Sequence, residues 1–193
     1  MKNSQKSPEQ QPRLVFVGGF PGSGKTTSIA RLGAFLQRTR AVTAGVLTAA
    51  TSGASVDAIR LRHAGLPVEE WAGAPRPEMI AEAARQFGTS HVLVEAPGTS
   101  MGWRPVMEAL QRSGFEVAPL TVLVNPRRAS EILGLAGRSK LSEKAAYLYR
   151  IQIQEAEVLL LNPHGSDPIP LELSKALERE NPEAETRIMG GEA

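Results

Sequence analysis

The sequence predicts an α/β fold, doubly wound about a mainly parallel sheet and closed into a single domain. Short, nearly continuous runs of β-branched and aliphatic residues alternate with longer segments rich in Ala, Leu, Arg and Glu. The runs lack the polar alternation of a half-exposed strand, as expected for strands covered on both faces. A Gly-rich turn joins the first run directly to the first helical segment, an arrangement typical of parallel α/β units.

Taken in order, the predicted strands are Leu14–Gly18 (LVFVG), Val42–Thr48, His91–Glu95 (HVLVE), Val117–Val124 (VAPLTVLV) and Val158–Asn162 (VLLLN). Between and after them, Lys25–Arg38, Ser55–Ala64, Pro77–Phe87, Arg104–Ser113, Ser142–Glu157 and Leu171–Glu180 each space their apolar residues for one buried helix face. In the longest, Ser142 is placed to cap the N-terminus, and Ala145, Tyr149, Ile153 and Ala156 share a side at i, i+4, i+8 and i+11. Residues 1–12 are polar and read as a disordered leader. The domain is expected over 13–188, with 189–193 a flexible tail. No segment has the apolar centre of a secretory signal or the length of a membrane span, so a cytoplasmic protein without a membrane partner is expected.

Of 193 residues, 41% are hydrophobic and 22% charged, which supports a real core. Lys and Arg number 22 against 20 Asp and Glu, a net charge of +2 that gives no support to nucleic-acid binding. There are no cysteines, which excludes disulfides, thiolate metal sites and cysteine nucleophiles. His63, His91 and His164 are scattered without acidic neighbours at ligand spacing, and His91 reads as the start of a strand.

The chemistry is carried by Gly19-Phe20-Pro21-Gly22-Ser23-Gly24-Lys25-Thr26-Thr27, which fits the phosphate-binding P-loop G-x-x-x-x-G-K-T. Glycines let the backbone curl so that successive N–H groups point at phosphate oxygens, and the helix N-terminus adds its dipole. Gly19, Gly22, Ser23, Gly24, Lys25, Thr26 and Thr27 are therefore the candidate nucleotide-binding set. In it, Lys25 reaches the β- and γ-phosphates and Thr26 ligates Mg²⁺. The loop lacks the third glycine of a dinucleotide fingerprint, since Thr27 stands there. Such a site also needs an acid at the end of a neighbouring strand. Glu95 closes the run His91–Glu95 and opens E-A-P-G, so that Glu95 is a candidate metal ligand and Gly98 a backbone donor to the γ-phosphate.

The P-loop, the hhhExxG of Val92–Gly98 and Gln152–Asn162 (QIQEAEVLLLN), followed by a loop where a nucleotide base would be read, resemble the CobW/HypB/UreG group of P-loop GTPases. Gly65–Glu70 looks like a family segment before the second helix, and Ala118–Val124 like the family's fourth strand. The resemblance implies a P-loop NTPase fold and binding of Mg²⁺ with GTP, or with ATP. It also implies slow or partner-dependent hydrolysis with Lys25, Glu95 and Gly98 as catalytic groups, and a link to metallocofactor maturation through a homodimer or a client protein.

The chain departs from the family pattern at three places. The base-reading N-K-x-D is Asn162-Pro163-His164-Gly165, which keeps Asn162 as base contact and displaces the acid to Asp167. Thr48–Gly53 carries no acid beside the metal, leaving Asp57 a distant candidate. The metal-binding C-x-C-C is absent. Two alternatives thus stay open: a non-hydrolysing nucleotide-binding partner of a paralogue, and an ATP-dependent small-molecule kinase. For the kinase, Arg127, Arg128, Arg138 and Lys140 are candidate lid residues, read otherwise as a solvated face. Trp71 and Trp103, beside Gly and Pro, read either as a partner surface or as aromatics packed beneath a loop.

Overall fold

A computed structural model describes residues 11–39, 43–49, 55–73, 75–136, 141–163 and 169–190. These form one seven-stranded sheet, every pairing parallel, in the order β3-β2-β4-β1-β5-β6-β7. The strands are β1 (Arg13–Gly19), β2 (Ala44–Ala49), β3 (Val68–Trp71), β4 (His91–Glu95), β5 (Thr121–Val124), β6 (Val158–Leu161) and β7 (Glu185–Ile188). Among the described residues the helices are α1 (Lys25–Thr39), α2 (Val56–His63), α3 (Pro77–Gln86), α4 (Trp103–Arg112), α5 (Pro126–Ile132), α6 (Glu143–Glu155) and α7 (Leu171–Glu180). None is long and apolar enough to cross a membrane.

Alternation along β1 shows why its sequence is apolar throughout. Leu14 and Phe16 enter one core with residues of α3, α4, α6 and α7, whereas Val17 faces a second core with Ile29 of α1 and Leu61 of α2. Helices on both faces make the sheet doubly wound, as the sequence predicts. Of the two readings open for Trp71 and Trp103, the structure takes packing over a partner surface. Trp71 closes β3 and Trp103 opens α4, exposed by only 5% and 4%, and Trp103 packs against Phe16 in a tilted pair at 5.6 Å between centroids.

The sequence reading misses β3 and β7. Both are edge strands, and their sequences VEEW and ETRI carry charges that a central strand would exclude. The segment Gly65–Glu70, expected before the second helix, follows α2 and leads into β3. The predicted strand over 117–124 shortens to Thr121–Val124, since Pro119 has no N–H to donate. Val117 keeps only an isolated bridge to Leu14. Other boundaries shift by a residue or two, with Ser55 and Ser142 outside their helices as N-caps. Of the expected strand Val42–Thr48, Val42 lies outside the described residues, as do 1–10 of the leader, 191–193 of the tail, Arg138, Lys140, His164 and Asp167.

The end of α6 is held by Asn181, whose side-chain amide donates to the carbonyls of Ile153 (2.8 Å), Gln154 (3.2 Å) and Ala156 (2.8 Å) while its oxygen accepts from Glu183 and Ala184. Asn181 is buried, so truncation leaves carbonyls dry and unpartnered. Asn181→Ala is expected to lower stability by about 1–3 kcal/mol, read from urea denaturation.

Candidate functional site

Five residues separate Gly19, the end of β1, from Lys25, the start of α1, and the glycines of this turn fix its path. Gly19 has φ 132°, and a Cβ there would lie 2.5 Å from the Leu123 carbonyl oxygen and 2.6 Å from Ser23 Oγ. Gly22 and Gly24 take φ of 80° and 96°, a left-handed conformation costly for other residues. The loop thus curls tightly over the C-terminal end of β1, with the N–H groups of α1's first turn unpaired within the helix. Lys25, the first residue of α1, folds back to donate from Nζ to the Gly19 carbonyl at 2.8 Å and, less closely, to that of Phe20 at 3.4 Å. Burial pulls its ammonium below the ordinary lysine range, against the opposing pull of Glu95 and Asp57.

Glu95 ends β4 beside β1, and its carboxylate joins two other elements. Thr26 Oγ1 of α1 donates to Oε1 at 2.7 Å, and Thr48 Oγ1 of β2 donates to Oε2 at 3.0 Å. Only 5% of Glu95 is exposed, and this burial raises its carboxyl above the usual glutamate range despite the two hydroxyls and Lys25, which favour the charged form. Thr26 and Glu95 supply hard oxygen donors suited to Mg²⁺, a cation that takes few protein ligands and keeps several waters. Among the described residues no group of three or more His, Asp or Glu side chains could hold a metal.

After Glu95 the chain passes across the P-loop. A Cβ on Gly98 would come 2.7 Å from Pro21 Cδ and 2.8 Å from Pro21 N, so only glycine permits this approach. Behind the P-loop, Asn162 Nδ2 donates to the Ser23 carbonyl at 2.8 Å. Ser23 Oγ is buried with no hydrogen-bond partner among the described residues.

These parts enclose an open cavity of about 590 Å³, whose lining includes Gly22, Gly24, Lys25, Thr26, Thr27, Glu95 and Gly98 of the predicted set. Gly19, Ser23 and Asn162 lie outside the lining. Four further lining residues, Thr48, Asp57, Arg60 and Thr99, come from β2, α2 and the loop after Glu95. Asp57, remote in sequence, is near enough to act electrostatically on both Lys25 and Glu95. The sequence signal for these was slight: a polar residue ending an apolar strand, and an Asp in the first turn of a capped helix. Arg127 and Arg128 pair with Glu131 on their own helix at 3.6 and 3.1 Å, the solvated-face arrangement.

A glycine-bent loop between a central parallel strand and its helix, with an acid at the end of the adjacent strand, defines the P-loop NTPase fold. Solved structures agree at the level of fold. The hydrogenase maturation factor HypB from Archaeoglobus fulgidus matches with a TM-score of 0.59 at 18% identity, covering 93% of this chain and 81% of that one. The signal recognition particle receptor FtsY from Elizabethkingia anophelis matches at 0.59 and 16%, covering 96% and 62%. The Zn(II)-bound YjiA GTPase from E. coli matches at 0.57 and 12%, covering 95% and 59%. The chain thus spans about three-fifths of the latter two structures. No family model matches the sequence, and no curated protein matches it.

Because burial raises the Glu95 carboxyl, the folded protein holds that proton more tightly than the unfolded chain. The resulting stabilisation is complete below the ordinary glutamate range and is lost as pH rises through the raised value. Glu95→Gln removes the buried charge while Thr26 and Thr48 keep an amide to bond. It is expected to raise the urea midpoint in neutral and alkaline buffer, with the gain shrinking in acid. A gain constant across pH would contradict this assignment.

Proposed function

We propose that this chain binds a purine nucleoside triphosphate, GTP or ATP, together with Mg²⁺ and hydrolyses it slowly or under the control of a partner. The observation that carries this reading is the convergence of Lys25, Thr26 and Glu95 on one cavity at the mouth of a P-loop. The ammonium of Lys25 turns from the Gly19 carbonyl to the phosphates and neutralises charge on the transferring phosphoryl oxygens. Thr26 and Glu95 hold the Mg²⁺, which when bound offsets charge on the phosphate oxygens. Gly98 N–H or the Glu95 carboxylate orients the attacking water. Asn162 acts from the base side by holding the Ser23 carbonyl.

The likeness in fold to a hydrogenase maturation factor supports a setting in metallocofactor maturation. With no cysteine to hold a cargo metal as thiolate, the chain's part there is that of a nucleotide-dependent switch acting on a client protein or a second copy. The Asp57 and Arg60 wall favours a second reading, phosphoryl transfer to a small hydroxyl compound with Asp57 as the accepting base.

Titration with MgGTP and MgATP, with phosphate release followed in parallel, tests these readings. Binding is expected, and Lys25→Ala should weaken it about 10- to 100-fold, the worth of a charge-assisted hydrogen bond. Failure to bind either nucleotide overturns the proposal. Binding without phosphate release supports a non-hydrolysing partner of a paralogue. Diphosphate formed without matching free phosphate, only when a small-molecule extract is added, supports the kinase.

A further inference from the structure

The loop from Glu95 to α4 is held from behind by one face of α6. Gln152, buried, uses both hydrogens of its amide: Nε2 donates to the Gly98 carbonyl at 3.0 Å and to the Ser100 carbonyl at 2.9 Å. One turn on, both carboxylate oxygens of Glu155 accept from Gly102 N–H at 2.7 and 3.0 Å, at the start of α4, where the helix dipole favours an anion. One turn earlier, Tyr149 packs on Phe20 of the P-loop, with centroids 5.3 Å apart. Residues 149, 152 and 155 form a single stripe along α6.

We propose that Gln152 and Glu155 form a latch that positions the Gly98–Gly102 backbone against the P-loop, making Gln152 a positioning residue for turnover. This rests on the nucleotide-hydrolysis reading above. Peptide planarity gives the geometry: with the Gly98 carbonyl drawn to Gln152, the N–H of Thr99 in the same peptide points away from α6. Both residues of that peptide line the cavity. Two glycines alone would leave the segment costly to order, and the latch removes that cost before a ligand arrives. Trp103 Nε1, donating to Ser100 Oγ at 2.8 Å, closes the segment from α4.

The test uses the full chain with Gln152→Ala, Gln152→Glu and Glu155→Gln. Without nucleotide, Gln152→Ala is expected to speed exchange of the hydrogen-bonded Ser100 and Gly102 amides about tenfold or more while β1 and β4 are unchanged, since two hydrogen bonds to their segment are lost. With MgGTP, kcat should fall about tenfold and KM change less than about twofold, since the latch orders the loop rather than binding the phosphates. Gln152→Glu should match Gln152→Ala at neutral pH but regain activity relative to wild type in acid, where a protonated carboxyl restores one donor. A merely structural role would not give that recovery. Glu155→Gln, on a more exposed residue, should loosen the same amides to a lesser degree.

Unchanged exchange in Gln152→Ala overturns the latch, as does unchanged kcat beside an active wild type. An inactive wild type that binds no nucleotide overturns the function proposed above, and the exchange result then decides the latch alone.

Discussion

The buried carboxylate of Glu95 is the constraint on which the rest of the site depends. It stands at the end of β4 and binds the first turn of α1 through Thr26 and the end of β2 through Thr48. β2 and β4 already pair along the sheet and α1 packs on both; at their C-terminal edge the two hydroxyls tie all three elements to one carboxylate. A carboxylate in so dry a place is costly, and the compensation is incomplete, since its proton affinity stays raised. Lys25 shows the mirror image, with its ammonium weakened by burial and turned back onto the carbonyls of its own loop. The site therefore holds two charges of opposite sign, each short of the partners it would have in water. An anion paired with a divalent cation is the kind of ligand that would offset both.

The P-loop and Glu95 were legible in the sequence because their spacing is local: a glycine pattern between a strand and a helix, and an acid closing an apolar run. What completes the site was not legible. Thr48 lies 47 positions from the carboxylate it bonds, and Asp57 reaches the cavity because α2 starts just beyond the end of β2. Gln152 sits 54 positions from Gly98 on a helix that reads as amphipathic packing, and nothing in a 3.6-residue period marks one polar member of the buried face. The edge strands were missed for the opposite reason, since their charges suit an edge and disguise a strand.

The two halves of the sheet contribute differently to the cavity, with β1 as the divide. On the side of β2 and β4 stand the groups with charge or hydroxyl chemistry: Thr48, Asp57, Arg60 and Glu95. On the side of β6 and α6 stand two neutral amides, Asn162 and Gln152, and neither lines the cavity. Each donates to a backbone carbonyl of a loop that does, Ser23 in one case and Gly98 in the other. A neutral amide suits this work, because it fixes a carbonyl without adding a charge that would shift Lys25 and Glu95 further. Charged and hydroxyl groups on the first side face the cavity, while amides on the second brace the backbone that frames it. Asn162 itself shows the distinction. Sequence spacing marks it as a base contact, and in the fold its bond to the Ser23 carbonyl ties the end of β6 to the backbone of the P-loop.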